Sequence, residues 1–438
     1  AGIATADGQR RHAMFQSKIT ADRLSVTADE GFPPEIDALA NNNLSGHGFL
    51  RAAWYRAGRS RSGSTLLMRR PDLSNDHALM AAIPTVPVGP LIGRARQLPG
   101  SYWPLRSPLV APDCNVDELA YGLKHTAARG LGAVWRVGPA RQDDPSIELM
   151  IEAAHLAGWR VLSRPAGTSW LIDLDRARQD GLPRPSVAKK LRAAWRRLGE
   201  LGTPHWRHVR GEDWTVDVMK AMGAIEEQSW ISRTTNGSGA KFMTAKQRAL
   251  WLEALTDPVL AHNLSATILM LDDRPITFSF DLDDGPLQYS IAGSYVEDLK
   301  RVGIGKLANY RALEDAINDG QQVMDMGAGD TGYKQEMGAV EGYRMVDLLF
   351  VRSRMVARVL APIWSTQIGA PAGRSATLDG ARVAGRAVHT ERGRCSVARA
   401  GARLSGRRGG SDPRRPSSPG HCPRGRGRTS SPARPARP

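Results

Sequence analysis

Three apolar runs decide the fold: Ala266-Thr267-Ile268-Leu269-Met270-Leu271, Ile276-Thr277-Phe278-Ser279-Phe280-Asp281-Leu282 and Leu287-Gln288-Tyr289-Ser290-Ile291-Ala292. Between them lie Asp272-Asp273-Arg274-Pro275 and Asp283-Asp284-Gly285-Pro286, both composed of turn formers. Connections this short cannot cross over to a parallel neighbour, so the runs read as an antiparallel meander. The meander is followed by Tyr295-Val296-Glu297-Asp298-Leu299-Lys300-Arg301-Val302-Gly303-Ile304-Gly305-Lys306, which opens a helix from about 306 to 318 stopped by Gly320. Strands at 323–326 and 343–352 complete this half. Small residues at a strand-to-helix junction let backbone N–H groups approach a pyrophosphate, and Lys300, Arg301 and Lys306 add positive charge. The same glycines also fit a plain tight turn. Because the junction follows an antiparallel meander, a dinucleotide fold, which needs a βαβ unit, is disfavoured.

Upstream, residues 244–255 and 216–230 read as helices, and 186–201 as a basic helix carrying Lys189, Lys190, Arg192, Arg196 and Arg197. Its apolar residues Val187, Leu191, Ala194, Leu198 and Leu201 recur every three or four positions, giving one core-facing stripe. Its charges read either as a solvated face or as a contact for an anionic substrate. Residues 176–185 read as a linker. Before it, 31–175 form a first half: a loop at Gly46–Leu50 entering a helix at Ala52-Ala53-Trp54, an edge strand or extended loop at 81–87, a loop at 101–107, helices at 117–129 and 147–157, and strands at 133–137, 159–163 and 170–174. Residues 1–30 read as a leader. Helices alternating with short strands indicate an α/β or α+β protein.

The formal net charge is +16, but residues 366–438 contain 16 Arg, no Lys and 3 acidic residues. The body is therefore close to neutral, and the basic balance describes a tail. Rich in Arg, Gly, Pro and Ser, this tail cannot build a core, so it reads as disordered. It fits an anion-binding arm, and equally an out-of-frame reading of a GC-rich gene; its removal is expected to leave the melting temperature unchanged. Of three cysteines, Cys395 and Cys422 lie in the tail, leaving Cys114 alone in the body, which suits a reducing compartment. No apolar run spans a bilayer and no secretory leader is recognisable, so the expected location is cytoplasmic. His205 and His208 lack a third ligand nearby, and no metal site is expected.

Lys300-Arg301-Val302-Gly303-Ile304-Gly305 resembles the pyrophosphate loop of the GNAT acyltransferases, Arg/Gln-x-x-Gly-x-Gly/Ala, with Lys300 in first position. The wider chain resembles the CelD-like branch, linked to cellulose and exopolysaccharide biosynthesis and related to the FemAB peptidyltransferases. The matching pieces are Lys189-Lys190-Leu191-Arg192, Glu227-Gln228-Ser229-Trp230, Gly303 to Lys306 and, above all, Met324-Asp325-Met326-Gly327-Ala328-Gly329-Asp330-Thr331-Gly332-Tyr333-Lys334. The resemblance implies two tandem GNAT-like halves, 31–175 and 176–365, each a mostly antiparallel sheet flanked by helices. It implies acyl-CoA as co-substrate, held by Lys300, Arg301, Gly303, Gly305 and Lys306. A weak internal echo of helix, glycine stop and strand at 118–137 and 312–326 agrees.

Acyl transfer to an amine needs placement of both reactants, removal of a proton and stabilisation of an oxyanion. Glu227 is the candidate general base, on the argument that burial beside Trp230 raises its pKa. Asp330 would orient the acceptor, Lys334 neutralise developing charge, and Tyr333 act as general acid. Each also has an ordinary structural reading as a surface, turn-capping or packing residue. The expected enzyme transfers an acyl group from acyl-CoA to an amine or hydroxyl of a cell-envelope or exopolysaccharide precursor. The alternatives are a FemAB-like transferase using aminoacyl-tRNA and a non-catalytic accessory protein of polysaccharide biosynthesis.

Overall fold

The computed structural model describes residues 24–57, 63–71, 77–89, 95–100, 106–235, 237, 239–329 and 332–366. Its strands are β1 (Ser25–Glu30), β2 (Ser64–Pro71), β3 (His77–Val88), β4 (Ala95–Gln97), β5 (Leu109–Val110), β6 (Val134–Arg141), β7 (Arg160–Asp173), β8 (Pro204–Arg210), β9 (Leu264–Leu271), β10 (Arg274–Asp284), β11 (Leu287–Tyr295), β12 (Val323–Ala328) and β13 (Val340–Val351). They form one sheet in the order β1-β2-β3-β4-β6-β13-β7-β12-β11-β10-β9-β8, with β5 added on β3. Two neighbouring pairs are parallel, β4 with β6 and β11 with β12; the others are antiparallel. The expected class, a mixed α/β fold with a mostly antiparallel sheet flanked by helices, is the one found. The meander is present as β9-β10-β11, and the echo is physical: each parallel pair joins a strand to the one that follows a helix, Val116–Lys124 before β6 and Ile304–Asn318 before β12.

The centre of the sheet departs from a simple sequence of halves. β13, late in the chain, lies between β6 and β7, and β7 lies between β13 and β12. The crossing is fixed by Asp347 on β13, buried and held by Arg136 of β6 (3.0 and 2.7 Å) and Arg164 of β7 (2.7 Å). Gly138 makes the approach possible, because a Cβ there would sit 2.9 Å from the Asp347 Cα. On one side of the sheet, Trp251 meets Phe280 edge-on at 4.8 Å, with Trp54 and Phe242 beside it. These aromatics carry much of the packing energy of that layer.

A buried polar cluster ties the loop before Phe49 to distant elements. His47 Nε2 is 3.0 Å from Asp144, which caps the helix Pro145–Leu156, and His47 Nδ1 is 3.5 Å from Asp284 at the end of β10. Asp284 also accepts the Gly48 N–H at 2.9 Å. Burial by itself would lower the His47 pKa, but hydrogen bonds and charge from Asp144 and Asp284 outweigh it and lift it to about 9.

Several sequence readings shift. Residues 25–30, inside the stretch read as leader, form β1, whose partner β2 supplies every ladder contact. The two short strands read at 159–163 and 170–174 are one strand, β7, because β13 pairs with it from Arg160 to Leu171 and β12 takes up its other edge from Ser169 to Asp173. The stretch 176–185 read as a linker begins inside a helix, Leu174–Gln179, capped by Asp173. The helix read over 216–230 ends at Glu227, and a second, Trp230–Thr235, follows. A helix at Arg354–Thr366 extends the last half, and its Trp364 ring lies 3.9 Å below the Arg164 guanidinium. Tyr102-Trp103-Pro104, Asp330 and the tail from 367 onward lie outside the described residues.

Candidate active site

β11 and β12 pair for only three residues, Leu287 with Val323, Gln288 with Met324 and Tyr289 with Asp325. Beyond that point β11 continues to Tyr295 against β10 alone, and β12 leans toward β7. The strands are parallel, so their C-terminal ends open on one side, where the segment 297–306 and the turn 327–336 both lie. The reason for the parting is written in Met324-Asp325-Met326-Gly327. The register of β12 on β7 slips between Asp325 and Ala328, a bulge, and Gly327 takes a left-handed φ of 74°. Asp325 Oδ1 accepts the Gly327 N–H at 2.7 Å, so the side chain closes the bulge on its own backbone.

Around that carboxylate is a group that sequence reasoning did not single out. Asp325 is fully buried and accepts hydrogen bonds from Ser169 of β7 and Tyr343 of β13. Burial raises the Asp325 pKa against those bonds and the charge of Lys334. Burial and the Asp325 charge together push the Tyr343 phenol far above its usual range. Arg141 lies over the Tyr343 ring at 4.6 Å. The only signal in the sequence was the strand-ending aspartate; its partners come from strands about 156 and 18 residues away.

Lys334 is not a surface lysine. It is 4% exposed, and its Nζ donates to the Gly327 carbonyl at 2.8 Å and the Ala328 carbonyl at 3.3 Å, capping the bulge from the other side. Tyr333 is exposed. The same short helix, Tyr333–Glu336, presents Glu336 to Lys306 at 2.6 and 2.8 Å, which joins the turn to the segment 297–306. Lys306 is thus engaged with a carboxylate, and Lys300 lies 3.5 Å from Glu297. Arg301 is exposed and has no hydrogen-bond or ion-pair partner among the described residues.

At the junction itself, a 3-10 turn at Glu297–Val302 runs into Gly303, left-handed at φ 95°, which starts the helix Ile304–Asn318 without a side-chain cap. Space around a Cβ at Gly303 is open. An uncapped N-terminus of a four-turn helix, approached over a residue with no side chain, fits a pyrophosphate. Gly305 is small for a different reason: a Cβ there would lie 2.9 Å from the Tyr295 ring.

Glu227 does not meet the premise on which it was chosen. It and Trp230 are both exposed. The helix Val216–Glu227 turns Val218, Met219, Met222 and Ile225 inward, and Glu226 goes with them. Glu226 accepts the N–H groups of Lys241 at 2.8 Å and Phe242 at 2.7 Å, and burial raises its pKa. Its role is to satisfy a loop. Glu226→Ala, which orphans two buried donors, is expected to cost about 2–4 kcal/mol in urea unfolding. Glu227→Ala is expected to stay within about 0.5 kcal/mol. Equal effects would mean that the two carboxylates are not divided in this way.

Residues 185–335 match the family model described as Acetyltransferase (GNAT) domain. No curated protein matches the chain. Among solved structures, similar folds include the C-terminal domain (DUF2156) of a putative lysylphosphatidylglycerol synthetase from Agrobacterium fabrum, at 12% identity and TM-score 0.46, covering 80% of this chain and 96% of that one. A tandem GNAT protein from the clavulanic acid biosynthesis pathway aligns at 14% identity and TM-score 0.44, covering 75% and 99%. FemX aligns at 9% identity and TM-score 0.49, covering 76% and 100%. Among the described residues no helix is long and apolar enough to cross a membrane. The segment 185–335, which holds the opened strand pair and the uncapped helix, is a match to an acetyltransferase (GNAT) domain, and that match supports an enzyme of the acyltransferase type.

Proposed function

We propose that the protein moves an acyl group from acyl-CoA to an amine or hydroxyl of a cell-envelope or exopolysaccharide precursor, as a CelD-like member of the GNAT acyltransferases built of two GNAT-like halves, 31–175 and 176–365. The observation that carries this reading is the gap between β11 and β12 opening beside the uncapped helix at Gly303. When bound, acyl-CoA supplies the activated thioester. In this reading the backbone N–H groups of Ile304 and Gly305, with Arg301, hold the pyrophosphate. The unpaired edge of β11 past Ser290 supplies a backbone donor for the developing oxyanion. Lys334 and Asp325 keep the bulged end of β12 apart from that edge, so the gap keeps its width. Asp330 and Tyr333 remain the candidates for contact with the acceptor.

Arg301→Gln and Gly303→Ala test the donor site. The first removes an exposed, uncommitted charge. The second adds a methyl at a left-handed φ, costing about 1–2 kcal/mol of local geometry. Each is expected to weaken acetyl-CoA binding about tenfold in titration calorimetry, with melting temperature nearly unchanged for Arg301→Gln. Titration of acetyl-CoA, longer acyl-CoAs and aminoacyl-tRNA side by side identifies the donor class. Unaltered acetyl-CoA affinity in both variants removes the donor from this segment.

A further inference from the structure

The helix Pro185–Gly199 packs beside Ile304–Asn318 and leaves a groove of about 510 Å³ between them, to whose lining Arg178, Leu182 and Pro183 also contribute. Its floor is apolar: Leu191, Leu307, Leu313 and Ile317, with Trp195 and Trp206 stacked at 6.1 Å and 23°. From Leu307 to Ile317 it follows the helix for ten residues, about 15 Å. Its rim is basic. Arg178, Arg192, Arg196 and Arg311 line it against one carboxylate, Glu314. Arg178 is partly held by Asp175 and the Ile317 carbonyl, and Arg311 by Asp315 and His208. Arg192 and Arg196, one turn apart and exposed, have no hydrogen-bond or ion-pair partner among the described residues.

We propose that this groove is a binding site for an anionic amphiphile, an aliphatic chain ending in a phosphate ester, with the chain on the leucines and tryptophans and the phosphate between Arg192 and Arg196. A purely solvated basic face would not have an apolar floor of this length beneath it. Guanidinium groups match phosphate oxygens in a planar fork, and two of them here are uncommitted. A nucleic acid would want an open aromatic face for base stacking, whereas Trp206 is already engaged by Trp195 and, at 5.8 Å, by Arg311. The site stands apart from the acyl-transfer reading, since none of its residues is assigned to donor binding or to the chemistry.

Titration of the full chain with monomeric dodecyl phosphate, dodecyl maltoside, inorganic phosphate and a short RNA hairpin tests it. Dodecyl phosphate is expected to bind, and each of the other three to bind at least about tenfold more weakly. The double variant Arg192→Glu with Arg196→Glu, on an exposed helix face, is expected to melt normally and to lose at least about tenfold in dodecyl phosphate affinity. Trp195→Phe keeps an aromatic floor and is expected to retain binding. Absence of dodecyl phosphate binding, or equal affinity in the double variant, overturns the proposal. So does equal affinity for inorganic phosphate, which marks a plain anion site. Tighter RNA binding that the double variant abolishes assigns the face to nucleic acid instead.

Discussion

Lys334→Met is expected to lower turnover about a hundredfold and to lower the melting temperature by several degrees. The two effects have separate origins. The buried ammonium caps the carbonyls of Gly327 and Ala328. Methionine fills the same space without a donor, leaving two acceptors and the Asp325 charge with less compensation, a cost of about 2–3 kcal/mol. In a chain of this size that is several degrees. The kinetic effect comes from geometry. Lys334 holds the bulge at which β12 leaves β11, and misplacing a reacting group by about 1 Å can cost a hundredfold. The expected role of Lys334 is thus that of a positioning residue acting through the backbone. Leu119→Ala, a cavity variant in the helix Val116–Lys124 whose core includes neither Met324 nor Met337, is the control, with a comparable or larger loss of stability and no change at the bulge. If both variants lose stability and neither loses turnover per folded molecule, Lys334 is structural only.

The second large effect is a loss of stability in mild alkali. His47 has a pKa of about 9 in the folded chain and about 6.5 when unfolded. A raised folded pKa means that the folded state holds the proton more tightly. The contribution is therefore complete below about pH 6.5 and vanishes as pH rises through about 9, a difference of roughly 3 kcal/mol. Lys241, which burial lowers to about 8, titrates over part of the same range. The useful quantity is thus the difference between the native chain and His47→Gln. Urea unfolding at intervals from pH 6 to 10 should show the gap between them closing as pH rises, because the variant leaves Asp144 and Asp284 facing one another unneutralised at every pH. A constant gap would show that His47 is neutral in the fold.

The short-range features of this fold were legible. The β9-β10-β11 meander follows from two turns whose composition permits nothing else, and the helix after Gly303 follows from its glycines and periodicity. The assignments that failed were those set by partners far along the chain. Glu226 and Glu227 are adjacent and chemically identical, and only the 100° step of the helix decides which is buried. Ser169, Asp325 and Tyr343 meet because three strands from different parts of the chain lie side by side, which no local pattern reports. The burial of Lys334, a candidate for neutralising charge that also had a surface reading, was not legible because its two partners are backbone carbonyls, which leave no trace in side-chain identity.

The interleaving of β7 and β13 has a consequence for how the chain is made. Arg136 and Asp347 meet across 211 residues. As the chain leaves the ribosome, β6 therefore has an unfilled edge until almost all the described fold has been synthesised. Such an edge is a template for pairing with the wrong strand. Closing it late imposes a slow step that depends on distant contacts. A nascent chain halted just before Val340 should hold most of its secondary structure yet remain open to proteolysis and self-association in the first 175 residues, and the next dozen residues would end both at once.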